Sequence, residues 1–435
     1  MRLDDHHPPE RELIDDCVHC GFCLPSCPTY ALWGQEADSP RGRIHLMAQA
    51  LDGAPLSGAV TAHLDSCLSC MGCLTSCPSG VRYDRLVTAT RAQIERRVRR
   101  SVRERATRAL IFGLFPHPRR LRVARAALEA ADTSGLRRLL RHPAVVRHLP
   151  PLVQVMESVA PPPSPVEHLG RRIPAAGPRR GTVAMLTGCV QSVLFSSVNA
   201  ATARVLAAEG FDVEVPAPQG CCGALSGHAG REEEAIRYAK ATIGTLEASG
   251  ADRVIVNAAG CGSAMKEYGR LLRDEPAYAA RAERFAAQTR DLSEFLVEVG
   301  QRAPRHPLPA TIAYHDACHL AHAQGIRDAP RALLDAIPGL ERREIADAQL
   351  CCGSAGVYNL LQPGPARELG DRKASNVRAT GAEVLVTSNP GCMMQIRAAA
   401  ERGGWSIVPV HLAEVLDASI RGTGLPGLPS SPHPG

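Results

Sequence analysis

Two short stretches of this 435-residue chain repeat one cysteine spacing: Cys17, Cys20, Cys23 and Cys27 in CVHCGFCLPSCP, and Cys67, Cys70, Cys73 and Cys77 in CLSCMGCLTSCP. Both read C-x2-C-x2-C-x3-C-P. Three thiols packed into seven residues share a centre only if the loop carrying them curls tightly. The fourth, displaced and stiffened by Pro28 or Pro78, points away from that centre.

This is the spacing of bacterial two-cluster ferredoxins, in which three thiolates of one loop cap three corners of a cubane and the fourth reaches the other cluster. The expected ligand sets are therefore crossed: Cys17, Cys20, Cys23 and Cys77 on one [4Fe-4S] cluster, and Cys67, Cys70, Cys73 and Cys27 on the other. Zinc ribbons present two separated thiol pairs per ion, which is not the pattern here. Neither run is a haem c site, because Gly21 and Met71, not His, follow Cys20 and Cys70. Between the runs, Ser39-Pro40 offers a helix cap and a first-turn proline, and Gly53 a stop. A further helix is expected around Thr61 to Ser66, and Ile44, Leu46 and Met47 are expected inside. Residues 1–90 thus read as a mainly helical dicluster ferredoxin domain holding two [4Fe-4S] clusters.

Of the sixteen cysteines, the other eight lie beyond residue 188, in a second half that is a tandem repeat. TVAMLTGCVQ matches TIAYHDACHL, PQGCCGALSG matches AQLCCGSAGV, and VIVNAAGCGSAMKEYG matches VLVTSNPGCMMQIR. Cys318 follows Cys189 by 129 positions, Cys351 follows Cys221 by 130, and Cys392 follows Cys261 by 131. A period this long is a duplicated domain. Strand and helix patterns alternate in each copy, which predicts parallel sheets with helices on their faces. The repeats are placed at 181–300 and 301–420. Cys189, Cys221, Cys222 and Cys261 follow successive strands of one copy, and Cys318, Cys351, Cys352 and Cys392 those of the other. Loops at the carboxyl ends of parallel strands share one edge, so each quartet should converge as a cofactor-binding site. His315, His319 and His322, near Cys318, read as polar packing, with a ligand or proton-carrier role as the alternative.

Residues 91–180 read as a linker. Residues 91–125 hold twelve arginines and a helical pattern, and 150–180 are proline-rich. The arginines suit either a solvated helical face or a docking surface for an acidic partner or an anionic membrane surface. The tail, 421–435, is expected to be disordered. Only 4% of residues are aromatic and the net charge is +6, which gives no stacking platform for nucleic acid; no nucleic-acid partner is expected. No apolar run approaches a membrane span. The polar N-terminus is not a secretory signal, so the expectation is a cytoplasmic protein, or one peripheral at the inner face of the membrane. Thiols there act as ligands or redox groups rather than staples.

At CVHCGFC, SPRGRI, CPSGVRY, NAATARVL, GCCGA, GCGSAMKEYG and LCCGSAG the chain resembles the family of glycolate oxidase iron–sulfur subunits. Related architectures are the lactate-utilisation iron–sulfur protein and the iron–sulfur subunit of anaerobic glycerol-3-phosphate dehydrogenase. The C…CCG…C repeats resemble the cysteine-rich domains of heterodisulfide reductases, but Ala264 and Gln395 stand where the fuller pattern has a further cysteine. The resemblance implies an electron-transfer subunit of a flavin-dependent 2-hydroxy-acid oxidoreductase. FAD-containing partner subunits would oxidise glycolate, and this chain would pass electrons to a quinone or other acceptor. It implies no flavin and no catalytic residue on this chain, and allows additional iron–sulfur centres in the repeats. A lactate-utilisation subunit, or thiol/disulfide chemistry at the CCG sites, are the alternatives. No dinucleotide or P-loop glycine motif is present.

Overall fold

The computed structural model describes residues 2–428. The N-terminal part is helical. Ser39 caps the helix Pro40–Leu51, its hydroxyl accepting from the Gly42 amide, with Pro40 at the first position where its missing N–H costs nothing. Ile44 and Met47 from this helix are buried, whereas Leu46 is half-buried. The next helix, Gly58–Asp65, begins under a Ser57 cap, three residues before the predicted start. The long helix Tyr83–Arg97 follows, and its buried stripe of Leu86, Val87 and Ile94 closes the small core.

The second half contains two sheets. In the first, β1 (Arg172–Ile173), β2 (Gly181–Met185), β3 (Phe211–Glu214), β4 (Arg253–Val256) and β5 (Thr289–Asp291) lie in the order β1-β3-β2-β4-β5. All pairs are parallel except β1 with β3. In the second, β6 (Ala310–Tyr314), β7 (Leu340–Glu344), β8 (Val384–Thr387) and β9 (Val408–His411) lie in the order β7-β6-β8-β9, all parallel. Val183, Ala184 and Met185 are buried in succession, as are Ile312, Ala313 and Tyr314. Both faces of these central strands are covered, so polar residues do not alternate with apolar ones.

The chain winds outward from β2 to β3, then returns to place β4 on the other flank. From β6 it does the same with β7 and β8. A crevice therefore opens beside each central strand at its carboxyl end. The repeats are not beads on a string. One core contains Val183 and Val213 of the first sheet together with Ile312 and Val384 of the second. Arg204, on the helix Ser196–Ala208, pairs with Asp417 on the last helix, Leu412–Arg421.

Several features depart from the sequence-based expectations. The region read as a linker is a packed helical layer. Its helices include Val102–Leu114, Pro118–Thr133 and Pro151–Val159, and Ile111 and Phe112 are buried against Val357 and Leu360 of the second repeat. Part of its arginine content is internal: Arg100 meets Asp65 at 2.9 Å and Glu95 at 3.3 Å, and Arg108 meets Glu95 at 3.3 Å. These two guanidiniums are neither a solvated face nor a free docking surface, because Asp65 of the N-terminal domain and Glu95 of the same segment already occupy them. At the start of the segment expected as a disordered tail, Leu425 is buried and Leu428 packs on the shared core; residues 429–435 lie outside the described residues. Among the described residues no helix is long and apolar enough to cross a membrane.

Candidate metal centres

The two N-terminal loops turn left-handed at matching places: His19 (φ 53°) and Gly21 (φ 88°) in one, Ser69 (φ 50°) and Met71 (φ 63°) in the other. Such turns aim successive amide N–H groups inward, a cradle for negative charge. The Ser69 amide donates to the Cys67 sulfur at 3.4 Å. Met71 accepts a conformation that its counterpart reaches with glycine, which indicates that the cradle matters more than local strain.

Each loop lines a small cavity. Cys17, Cys20, Cys23 and Cys77 border one, which Cys73 also touches. Cys27, Cys67, Cys70 and Cys73 border the other. Each fourth thiol thus comes from the opposite run. Four thiols ringed by inward amides fit the donor set of an iron–sulfur cluster. The two places differ in depth: Cys20 is exposed and Cys17, Cys23 and Cys77 are half-buried, whereas the second quartet is wholly buried.

Charge is arranged accordingly. Burial pushes the Cys23 thiol up to about 11. Burial, and next the neighbouring Cys318, push Cys70 well above the ordinary thiol range. Without a cation these sulfurs stay protonated; a bound metal is what would hold them as thiolates. Burial also acts on Cys67, but the guanidiniums of Arg43 and Arg91 outweigh it and hold that thiol below its usual value. Arg43 is 1% exposed; its Nη1 lies 3.9 Å from Cys27 Sγ and its Nη2 donates to Thr29 and Ser66. The Tyr83 hydroxyl is 3.5 Å from Cys67 Sγ. The sequence reading missed Arg43, Tyr83 and Arg91. Arg43 lies in the SPRGRI segment and Tyr83 ends the CPSGVRY segment, which were the signals available.

The buried quartet abuts the repeats. Leu68 and Cys70 pack in one cluster with Cys318, Cys351 and Tyr358. Thr75 Oγ1 lies 2.7 Å from His322 Nδ1, and Arg91 donates to the Cys67 and His228 carbonyls.

In the first repeat, Cys189 contacts Cys221, Cys221 contacts Cys222, and Cys222 contacts Cys261. In the second, Cys318 Sγ is 3.8 Å from Cys351 Sγ, Cys351 contacts Cys352, and Cys352 contacts Cys392. Each quartet converges because its members follow neighbouring strands. Gly223 (φ 84°) and Gly353 (φ 87°) end the Cys-Cys pairs, and a Cβ on either would press on the backbone of Ala235 or Ala366. Both quartets open into one cavity of about 540 Å³. Its far wall is apolar, built from the helical layer, with Leu114, Phe115, Leu121 and Met156 among its residues. Gln395, where a further cysteine would stand, donates to the Ala366 carbonyl and accepts from Asn359, so it is satisfied away from the thiols.

The three histidines near Cys318 differ. His322 bonds Thr75 and the Gln349 carbonyl, and His319 shares a 2.8 Å hydrogen bond with His228. These two are polar packing. His315 is 1% exposed and, among the described residues, has no hydrogen-bond partner on either ring nitrogen.

Comparison with known proteins agrees with this layout. A 4Fe-4S dicluster domain model matches residues 13–81, and a cysteine-rich domain model matches 183–266 and 312–397. The model described as "Glycolate oxidase iron-sulfur subunit, linker region" matches 103–160, the helical layer. A probable glycolate oxidase iron–sulfur subunit of Bacillus subtilis is 40% identical over 417 residues, covering 94% of each chain. The glycolate oxidase iron–sulfur subunit of Escherichia coli is 36% identical, covering 89% of this chain and 90% of the relative. Lactate utilization protein A of an Exiguobacterium species is 33% identical over 240 residues, 55% of this chain and 98% of that one. With similarity of this extent running through dicluster domain, helical layer and both repeats, the chain belongs to the family of glycolate oxidase iron–sulfur subunits.

Proposed function

We propose that the chain is the electron-transfer subunit of a complex whose FAD-containing subunits oxidise glycolate, with a quinone as the acceptor. Iron–sulfur clusters supply reversible uptake of single electrons, the property that links a two-electron flavin to a distant acceptor. In this reading Cys17, Cys20, Cys23 and Cys77 hold one [4Fe-4S] cluster, and Cys27, Cys67, Cys70 and Cys73 the other. Cys189, Cys221, Cys222 and Cys261, and Cys318, Cys351, Cys352 and Cys392, hold further iron–sulfur centres.

The observation that carries it is the packing of Cys70 in one buried cluster with Cys318 and Cys351, which brings the inner N-terminal quartet up to the thiols of the interior cavity. The side chains around this line bury the sulfurs, and the organic oxidation is assigned to the flavin subunits. Glycolate is favoured over lactate because the similarity includes the helical layer and nearly the whole chain, whereas the lactate-utilisation relative matches about half. The acceptor reading rests on the cavity wall. Its apolar helices suit a neutral ring compound, and quinone reduction to quinol takes up two electrons, both released when a 2-hydroxy acid becomes a 2-oxo acid, and two protons from solvent.

The test is anaerobic reconstitution followed by iron and sulfide analysis and turnover with the flavin subunits. More than about eight irons per chain, and a Cys70→Ser variant that blocks acceptor reduction while the flavin is still reduced by glycolate, are expected. Full turnover with iron-free chain would overturn the reading.

A further inference from the structure

We infer that His315 is a metal ligand of the second cysteine-rich repeat, so that the two repeat centres differ in kind: thiolate only in the first, thiolate plus imidazole in the second. The inference rests on the reading that the repeats hold iron–sulfur centres.

The starting point is an unmet demand. A buried imidazole that makes no hydrogen bond loses about 1–3 kcal/mol for each polar nitrogen taken from water. Both nitrogens of His315 are in this state, although His319, four residues on, and His322 are fully engaged. The environment on one side is sulfur: a ring nitrogen of His315 and the Sγ atoms of Cys352 and Cys392 lie within 4.8 Å of one another. No hydrogen bond joins the ring to either sulfur, and donors grouped this closely suit a common centre. Imidazole and thiolate are both good ligands for iron, and histidines replace cysteines at some iron–sulfur centres, where they raise the potential.

The first repeat is an internal control. Leu186 and His315 occupy the same place: the Leu186 amide donates to the Ile255 carbonyl at 3.0 Å, and the His315 amide to the Val386 carbonyl at 2.8 Å. Each stands three residues before the first cysteine of its quartet. Leu186 is buried, so the position is an ordinary core site that leucine fills without penalty. An imidazole there, with nothing to bond, is explained by a function that the first repeat lacks.

A second difference points the same way. Lys373, 2% exposed, donates to the Asp347 carbonyl at 2.6 Å; burial holds it below the usual lysine range, and the neighbouring Cys352 and Cys351 oppose that shift. The glycines after the Cys-Cys pairs rest on Ala235 and Ala366, which aligns Lys373 with Thr242. The second quartet thus has a cation and an imidazole where the first has a hydroxyl and an alkyl group. A centre so placed is less negative than its partner and easier to reduce. It is also the one that abuts the N-terminal domain through Cys318.

The experiment uses the full chain reconstituted anaerobically, compared with His315→Leu, with His315→Gln, and with wild type grown on 15N-histidine. Iron is counted, and pulsed electron paramagnetic resonance is recorded on samples poised at a series of potentials. Expected are a strong nitrogen coupling on one centre beyond the N-terminal pair, its change on 15N labelling, and its loss in His315→Leu. The signals of the N-terminal clusters should be unaltered. The labelled wild type needs no substitution, so a poorly folding variant does not compromise the result. Iron at the repeats with no coupling to histidine nitrogen overturns the role of His315 alone. Iron confined to about eight atoms in the N-terminal domain overturns the reading of the repeats, and the ligand with it.

Discussion

Arg43 holds its Nη1 3.9 Å from the sulfur of Cys27, inside a pocket where the same guanidinium meets Asp38 at 3.3 Å. Both partners are almost fully buried. The arrangement puts a fixed positive charge beside the inner thiol quartet, where a bound cluster with four thiolates carries net negative charge. Removing one member of a buried pair leaves the other uncompensated, typically at about 3–5 kcal/mol. Arg43→Met should therefore lower resistance to urea by roughly that amount, read as loss of cluster absorbance at lower denaturant. Adding Asp38→Asn should recover part of the loss. If the single and double variants behave alike, Arg43 does not act through its charge.

Acid sensitivity should come in part from His411. Burial pushes it down to about 4, although it donates to the Asn257 carbonyl at 2.7 Å. The folded chain keeps this ring neutral while the unfolded chain protonates it below about 6.5. The unfolded state then binds more protons, so stability is fully present above that pH and falls by about 1.4 kcal/mol per pH unit toward pH 4. His411 also caps the last helix, its Nδ1 accepting from the Ala413 amide. His411→Asn keeps a capping acceptor and removes the titration. Urea midpoints at pH 7 and pH 5 should lie closer together in this variant than in wild type.

The cavity between the two quartets offers a test of the acceptor site that touches no cysteine. Leu114 lines its helical wall and is half-buried. Leu114→Trp fills space there without reaching the metal ligands. A quinone analogue should bind at least about tenfold more weakly to this variant, measured by titration, while iron content stays at the wild-type value. Unchanged affinity would place the acceptor elsewhere.

Val18 and Phe22 flank Cys20 at the outer quartet and are 69% and 68% exposed. Large apolar side chains this open beside a redox site suit contact with the electron-donating subunit. Phe22→Asp should weaken association with the flavin subunits by about 1–3 kcal/mol in a pull-down titration or by calorimetry. The cluster spectra of the isolated chain should not change. Wild-type affinity in the variant would remove this face from the interface.

The cysteine spacings and the internal repeat carried most of what could be read in one dimension: a thiol-rich helical module, a duplicated α/β unit, and four thiols per copy. Spacing is enough because three ligands within seven residues are brought together by local geometry, and thiols after successive parallel strands by the edge those strands share. Other properties depend on contacts between distant segments. The sequence could not show that the arginine-rich stretch is a packed layer closing the cavity, because Asp65, the acid that meets Arg100, lies outside it, and only folding sets Ile111 and Phe112 against Val357 and Leu360. It could not show that Cys70 packs in one buried cluster with Cys318, which joins the two halves. It could not separate His315 from His319 and His322 either. All three are histidines beside a cysteine, and what distinguishes them is whether a hydrogen-bond partner from elsewhere in the fold reaches the ring, which only the tertiary structure decides.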